Sequence, residues 1–274
     1  GIIDVIDMGA VNVNTLKPGQ VSKQAGEASY LYIEKAIQLA QSGSVDATVT
    51  NPINKEALNL AGRHYAGHTE IYAHLTKTKN VTMLLAHGAL RVVHVSTHVS
   101  LRRACDLVKK ERILNVIRIA NDACRRLGIV APRIAVAGLN PHSGEKGLFG
   151  TEEIEEIEPA IEAACAEGIL TEGPVPPDTV FSKAQGGMFD MVVAMYHDQG
   201  HIPLKLAGFQ LDKETGKWTN ISGVNITLVL PIIRTSVDHG TAFDQAWKGT
   251  ASPVSLREAI DYAITLAKTR DSGV

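Results

Sequence analysis

Cysteine is scarce in this 274-residue chain. Cys105, Cys124 and Cys165 are the three present, an odd count with no CxxC pair, so neither a disulfide framework nor a thiolate metal cage is expected. Each lies in a stretch of helical character and reads as a small buried apolar residue rather than a nucleophile. A reducing, cytoplasmic compartment follows as the expectation. Aromatics make up only 5% of residues, so few large aromatic packing centres are available. Net charge is also lacking. Lys+Arg 27 against Asp+Glu 29 leaves −2, which asks for neither nucleic acid nor an anionic membrane. No apolar run approaches the roughly 20 residues needed to span a bilayer. No signal peptide opens the chain, whose first residue is Gly1 rather than Met. No GxGxxG follows a strand and no GxxxxGK[ST] occurs, so the standard dinucleotide loop and the P-loop are both missing.

What is present is a chain fit for one or two domains. Hydrophobic residues form 45% of it, ample for a core, and 24 glycines with 11 prolines indicate many tight turns. Short β-branched runs alternate with amphipathic ones. Helices are expected over 22–41, 55–61, 100–127 (as one or two), 151–166 and 255–268, the last with Ser255 as its cap. Strands are expected over 47–50, 81–86, 91–96, 133–137, 191–195 and 224–230. This alternation predicts an α/β fold with a largely parallel sheet. Residues 210–222 (QLDKETGKWTNIS) are polar around a turn and predict a protruding β-hairpin or lid. A plain surface insertion would read the same way.

The chain holds ten histidines, unevenly placed. Three follow closely on expected strands: His98 after 91–96, His142 after 133–137, and His197 after 191–195. Ligands of open α/β sheets bind outside the carboxyl ends of strands, and neutral imidazoles converging there would bind a metal. Any one of them alone reads better as a capping or hydrogen-bonding residue. Three in equivalent positions favour a catalytic metal with open coordination sites. Lys205, Asn225 and Arg234 fall at the same end, and the two cations would suit a phosphorylated or carboxylated substrate. Gly67-His68-Thr69-Glu70 looks like a helix start with Thr69 at or near the cap, which serves an anion or an ordinary cap equally well.

Longer motifs now become recognisable. GHTE at 67–70, THVSLR at 97–102, LNPHSGE at 139–145, AMYHDQGHIPLK at 194–205 and GVNIT…PIIRTSVDHGTAFD at 223–244 resemble the 4-hydroxythreonine-4-phosphate dehydrogenase family over nearly the whole chain. The resemblance implies an isocitrate/isopropylmalate-dehydrogenase-like fold, two α/β lobes around a central cleft, acting as a homodimer. Residues 1–66 with 224–274 would form the first lobe, on the cofactor side, and residues 67–223 the second, carrying the metal, the dimer contact and the hairpin. The implied reaction is NAD-dependent oxidation of a secondary alcohol beside a carboxylate, then decarboxylation of the 3-oxo acid.

By position, the family's metal ligands fall on His98, His142 and His197, and its substrate residues on His68, Thr69, Lys205, Asn225 and Arg234. Residues 238–244 are similar to the superfamily loop that holds the adenosine of the cofactor, which would place NAD at His239, Gly240, Thr241 and Asp244; Phe243 replaces that loop's proline. The metal is a divalent one, Zn²⁺, Co²⁺, Mn²⁺ or Mg²⁺. Lys205 and Asp198 are the candidate proton donors to the enolate left by CO₂. The family opens with a strand and a Gly-Asp-Pro-rich loop that nothing before Gly1 supplies, so a segment of one lobe is expected upstream. The hairpin and the wording GHIP point to the branch acting on 4-phospho-D-threonate or 4-phospho-D-erythronate rather than to the vitamin B6 enzyme. Two rival classes remain: a metal-dependent lyase or hydrolase on a phosphorylated small acid without NAD, and a non-catalytic binding protein of the same fold.

Overall fold

The computed structural model describes residues 2–214, 216 and 218–271. Ten strands and nine α-helices are present among them, and the class is α/β. In chain order the helices are α1 (Lys23–Gln41), α2 (Lys55–Leu60), α3 (His68–Leu75), α4 (Leu101–Asp106), α5 (Lys110–Arg126), α6 (Glu158–Ala166), α7 (Val180–Gln185), α8 (His197–Gly208) and α9 (Val254–Asp271). The strands are β1 (Ala47–Thr50), β2 (Thr82–His87), β3 (Leu90–His94), β4 (Ile134–Ala137), β5 (Thr171–Val175), β6 (Met191–Ala194), β7 (Phe209–Leu211), β8 (Trp218–Ile221), β9 (Val224–Leu228) and β10 (Ile233–Val237).

Helix starts follow local chemistry. Ser22 caps α1 by accepting from Ala25 N–H at 3.2 Å, and Asn54 caps α2 by accepting from Ala57 N–H at 2.8 Å. Ser100 does the same for α4, taking the Arg103 N–H at 3.2 Å; side-chain oxygens there satisfy donors the helix itself cannot. The expected 100–127 stretch is therefore two helices. Ser255 is not a cap. It lies inside the first turn of α9, and its hydroxyl donates to the Gly223 carbonyl. Helices α1 and α2 pack so closely that a Cβ on Gly26 would lie 1.9 Å from the Ala57 carbonyl oxygen. Only glycine fits at that crossing.

Eight strands form one sheet in the order β1-β10-β9-β2-β3-β6-β4-β5. The expectation of a largely parallel sheet needs correction. The flanks are parallel (β1 with β10, and β3-β6-β4-β5), but β10-β9, β9-β2 and β2-β3 are antiparallel. Short connections account for two of these pairings: β2 and β3 are joined by the two residues Gly88-Ala89, and β9 and β10 by residues 229–232, both too short for a crossover. Side chains alternate between faces as the pleat demands. Leu84, Val93, Ile134, Val136 and Val193 join a core with α5, α6 and α9. Their neighbours Leu85, Val92, Ala135 and Val192 pack with α7 and α8 on the other face. Strands β7 and β8 pair antiparallel as the expected hairpin, with Phe209 edge-on to Trp218 at 5.7 Å. Cys124 is buried, Cys105 half-buried and Cys165 exposed, so the buried reading fails for Cys165.

Candidate functional site

The strands preceding the three histidines are direct neighbours. β3, β6 and β4 run parallel in that order, so His98, His142 and His197 leave one edge of the sheet. His98 and His197 come together, their rings 5.7 Å apart. The His197 Nδ1 donates to Asp198 Oδ1 at 2.6 Å. A neutral imidazole bound that way keeps its lone pair on Nε2, the arrangement that orients a histidine toward a metal. Two of the three expected histidines, His98 and His197, therefore lie side by side. His142 is exposed on the turn after β4, and no group of three His, Cys, Asp or Glu among the described residues could hold a metal within this chain. Asp198 is 70% exposed at its side chain, so its carboxylate faces solvent.

Two further histidines extend the array. His201 stacks on His197 at 3.6 Å, its Nδ1 donating to the His197 carbonyl at 2.9 Å, and His94 lies 4.8 Å beyond it. His94 is buried with both ring nitrogens unpartnered. Helix α8 reaches this close only because residue 200 lacks a side chain: a Cβ there would sit 2.3 Å from His94 Nε2. The i, i+4 spacing of His197 and His201 puts both on one helix face, a signal readable in HDQGH.

Four of the five expected substrate residues line one open cleft of about 270 Å³: His68, Thr69, Asn225 and Arg234, joined by His239 and Gly240. Arg234 is 3% exposed on β10. Its two terminal nitrogens donate to Thr227 Oγ1 and Thr50 Oγ1, both at 2.8 Å, while its Nε has no partner. No carboxylate pairs with it among the described residues. Burial lowers its pKa to about 10, which leaves it cationic at neutral pH. Nearby, Asn225 Oδ1 is also buried and unsatisfied. A buried cation without a counter-ion marks an anion site, while the orphaned Asn225 oxygen, an acceptor, calls for a donor such as a hydroxyl beside it.

The fifth residue, Lys205, donates to Asp238 Oδ2 at 2.9 Å, next to the cleft residue His239. Thr69 lines both this cleft and a polar cavity of about 120 Å³ whose walls include His98, His94 and Arg112. The anion end and the histidine end therefore share a wall. On the other side, Pro52 and Ile53 are common to the cleft and a third depression of about 210 Å³, lined also by Thr241, Phe243 and Gly19. Asp244 is exposed and lines neither, its carboxylate accepting from the Gln245 side chain.

His68 is pushed down to about 3, first by burial and then by the Arg234 charge. The folded value lies below that of the unfolded chain, so acid favours unfolding: the stabilisation is complete above about pH 6.5 and is lost as pH falls toward 3. In pH-dependent chemical denaturation, His68→Gln is expected to flatten the stability curve between pH 6 and 4 by about 1.4 kcal/mol per pH unit. An unchanged slope would refute the buried neutral imidazole.

The family model for pyridoxal phosphate biosynthetic protein PdxA matches residues 1–263. The chain belongs to that family. It is 51% identical over 267 residues to the D-threonate 4-phosphate dehydrogenase of Pectobacterium atrosepticum, covering 97% of this chain and 78% of that one. The enzyme of that name from Salmonella typhimurium matches to the same extent, 51% over 267 residues, again 97% and 78%. The solved 4-hydroxythreonine-4-phosphate dehydrogenase of Klebsiella pneumoniae superposes with a TM-score of 0.78 at 51% identity, over 93% of this chain and 74% of that one. The chain is accordingly a dehydrogenase, and its α/β fold is the one solved for the family. No helix among the described residues is long and apolar enough to cross a membrane.

Proposed function

We propose that this dehydrogenase oxidises and decarboxylates 4-phospho-D-threonate (or 4-phospho-D-erythronate) with NAD and a divalent metal. The observation that carries it is Arg234, a buried cation with no counter-ion in a cleft that shares Thr69 with the histidine cavity. Arg234, Asn225, His68 and Thr69 would hold one anionic end of the substrate, and its hydroxyl end would extend toward His98 and His197. A divalent cation held there would supply polarisation of the hydroxyl, and bound NAD would supply the hydride acceptor. Asp198 then serves to fix the His197 tautomer rather than to move a proton. Lys205 Nζ is the proton source for the enolate, with Asp238 holding the ammonium in place. His239, Gly240 and Thr241 would seat the dinucleotide where the cleft meets the depression beneath Pro52. Asp244 would join them only from its exposed position.

The protein would work as a homodimer, in which the exposed His142 of one copy completes the His98–His197 pair of the other. Residues 67–223 would form one lobe and 1–66 with 224–274 the second, the seam falling at the β9–β2 pairing. Relatives named for D-threonate 4-phosphate support the substrate, as does the paired hairpin at 209–221. The test is NADH formation with three substrates. The D-threonate and D-erythronate 4-phosphates are expected to exceed 4-phosphohydroxy-L-threonine in kcat/KM by at least about tenfold, since only the group at C2 differs. The reverse order would overturn the substrate assignment.

A further inference from the structure

After β4 the chain enters a turn that L-residues resist. His142, Ser143, Glu145 and Lys146 have φ of 52°, 54°, 44° and 58°, with Gly144 at 77° among them. Left-handed backbone is disfavoured for every residue with a Cβ, so the surrounding structure must hold this run in place. Directly before it, the Leu139 and Asn140 N–H groups both donate to Glu153 Oε1, at 2.8 and 2.7 Å. The Asn140 side-chain amide donates to Glu153 Oε2 at 2.9 Å and to Glu152 Oε2 at 2.7 Å. Glu153 is 1% exposed and pairs with no cation among the described residues. Its burial is supported by N–H donors alone.

The packing leaves no slack. A Cβ on Gly144 would lie 2.7 Å from Glu153 Oε2, and one on Gly138 would lie 2.7 Å from Ser143 Oγ. Glu153 itself opens a π-helical turn, Glu153–Ile157, in which the Glu158 N–H bonds five residues back to the Glu153 carbonyl. Pro159 follows at the start of α6 and has no N–H with which to close the ordinary four-residue bond. The wide turn is thus written into the sequence, and it sets the carboxylate beneath the loop.

We infer that Glu153 is a positioning residue for His142: its buried carboxylate clamps the residues on which the left-handed turn is built and so fixes where the imidazole is presented. It touches neither substrate nor metal in this role. The inference rests on the reading of His142 as a metal ligand. Co²⁺ binding to the full chain, followed by titration and by the visible absorption of the bound ion, tests both. Glu153→Gln keeps the size but turns one acceptor into a donor facing donors. It is expected to weaken Co²⁺ binding at least about tenfold and to alter the spectrum, while adding it to His142→Ala weakens binding no further. Parent-like affinity, within twofold, in Glu153→Gln would overturn the clamp. Parent-like affinity in His142→Ala would instead overturn the ligand reading. Should Glu153→Gln fail to fold, Asn140→Ala decides, since it removes only the amide contacts: weakened binding with an altered spectrum supports the clamp, and affinity within twofold of the parent refutes it.

Discussion

Replacing Arg234 by Ala is expected to lower kcat/KM by about 10³-fold, because an anion would then enter a desolvated pocket with no cation to meet it. The effect on the unliganded protein should run the other way. Arg234 is buried without a carboxylate partner, and Arg234→Met, which fills the space that Ala would leave empty, relieves the desolvation cost of that charge. Thermal melts should therefore show a midpoint no lower than the parent's. Inorganic phosphate or substrate should raise the parent's midpoint but not the variant's. Arg234→Lys would recover little, since one ammonium cannot serve both Thr50 and Thr227, which the guanidinium spans. If Arg234→Ala keeps the parent's KM and its phosphate shift, the anion site lies elsewhere.

The second large effect concerns the histidines. On the proposed metal reading, His197→Ala and His142→Ala should each lose about 10³-fold or more in NADH formation, and chelation of the parent should do the same, because several kcal/mol of charge stabilisation would go with the metal. Asp198→Ala should lose far less, about 10- to 100-fold, since it only orients a ligand. If the site is built across two copies, the two inactive histidine variants complement each other. Unfolded together and refolded at equal amounts, half of the dimers are mixed and each mixed dimer has one intact site. Activity should then return to about a quarter of the parent's. No recovery, with mixed dimers demonstrated, would confine each site to one chain.

Much of this was legible in the residues. The strand-end placement of His98, His142 and His197 follows from periodicity alone, and β3, β6 and β4 do lie side by side. What periodicity cannot carry is where a loop takes a side chain afterwards. His142 leaves through left-handed backbone that no propensity encodes. β10 was missed as a strand because Arg234, Thr235 and Ser236 are polar yet buried; only tertiary partners such as Thr50 and Thr227 make that tolerable. β5 hid behind Pro174 and half-exposed residues at the sheet edge. The antiparallel centre turns on short connections at 88–89 and 229–232, smaller signals than the helices around them.

The pairing of β1 with β10 has a consequence for how the enzyme is made. Among the described residues, Ala47 pairs with Ile233, and Thr50 meets Arg234 across that same pairing. On the ribosome, β2 to β6 can condense around α5 as they emerge, whereas β1 must wait for the last quarter of the chain. Such long-range closure is slow. The strands of the histidine edge are thus all made before the Arg234 cleft can close, and a chain whose synthesis stops at the hairpin would carry the first without the second.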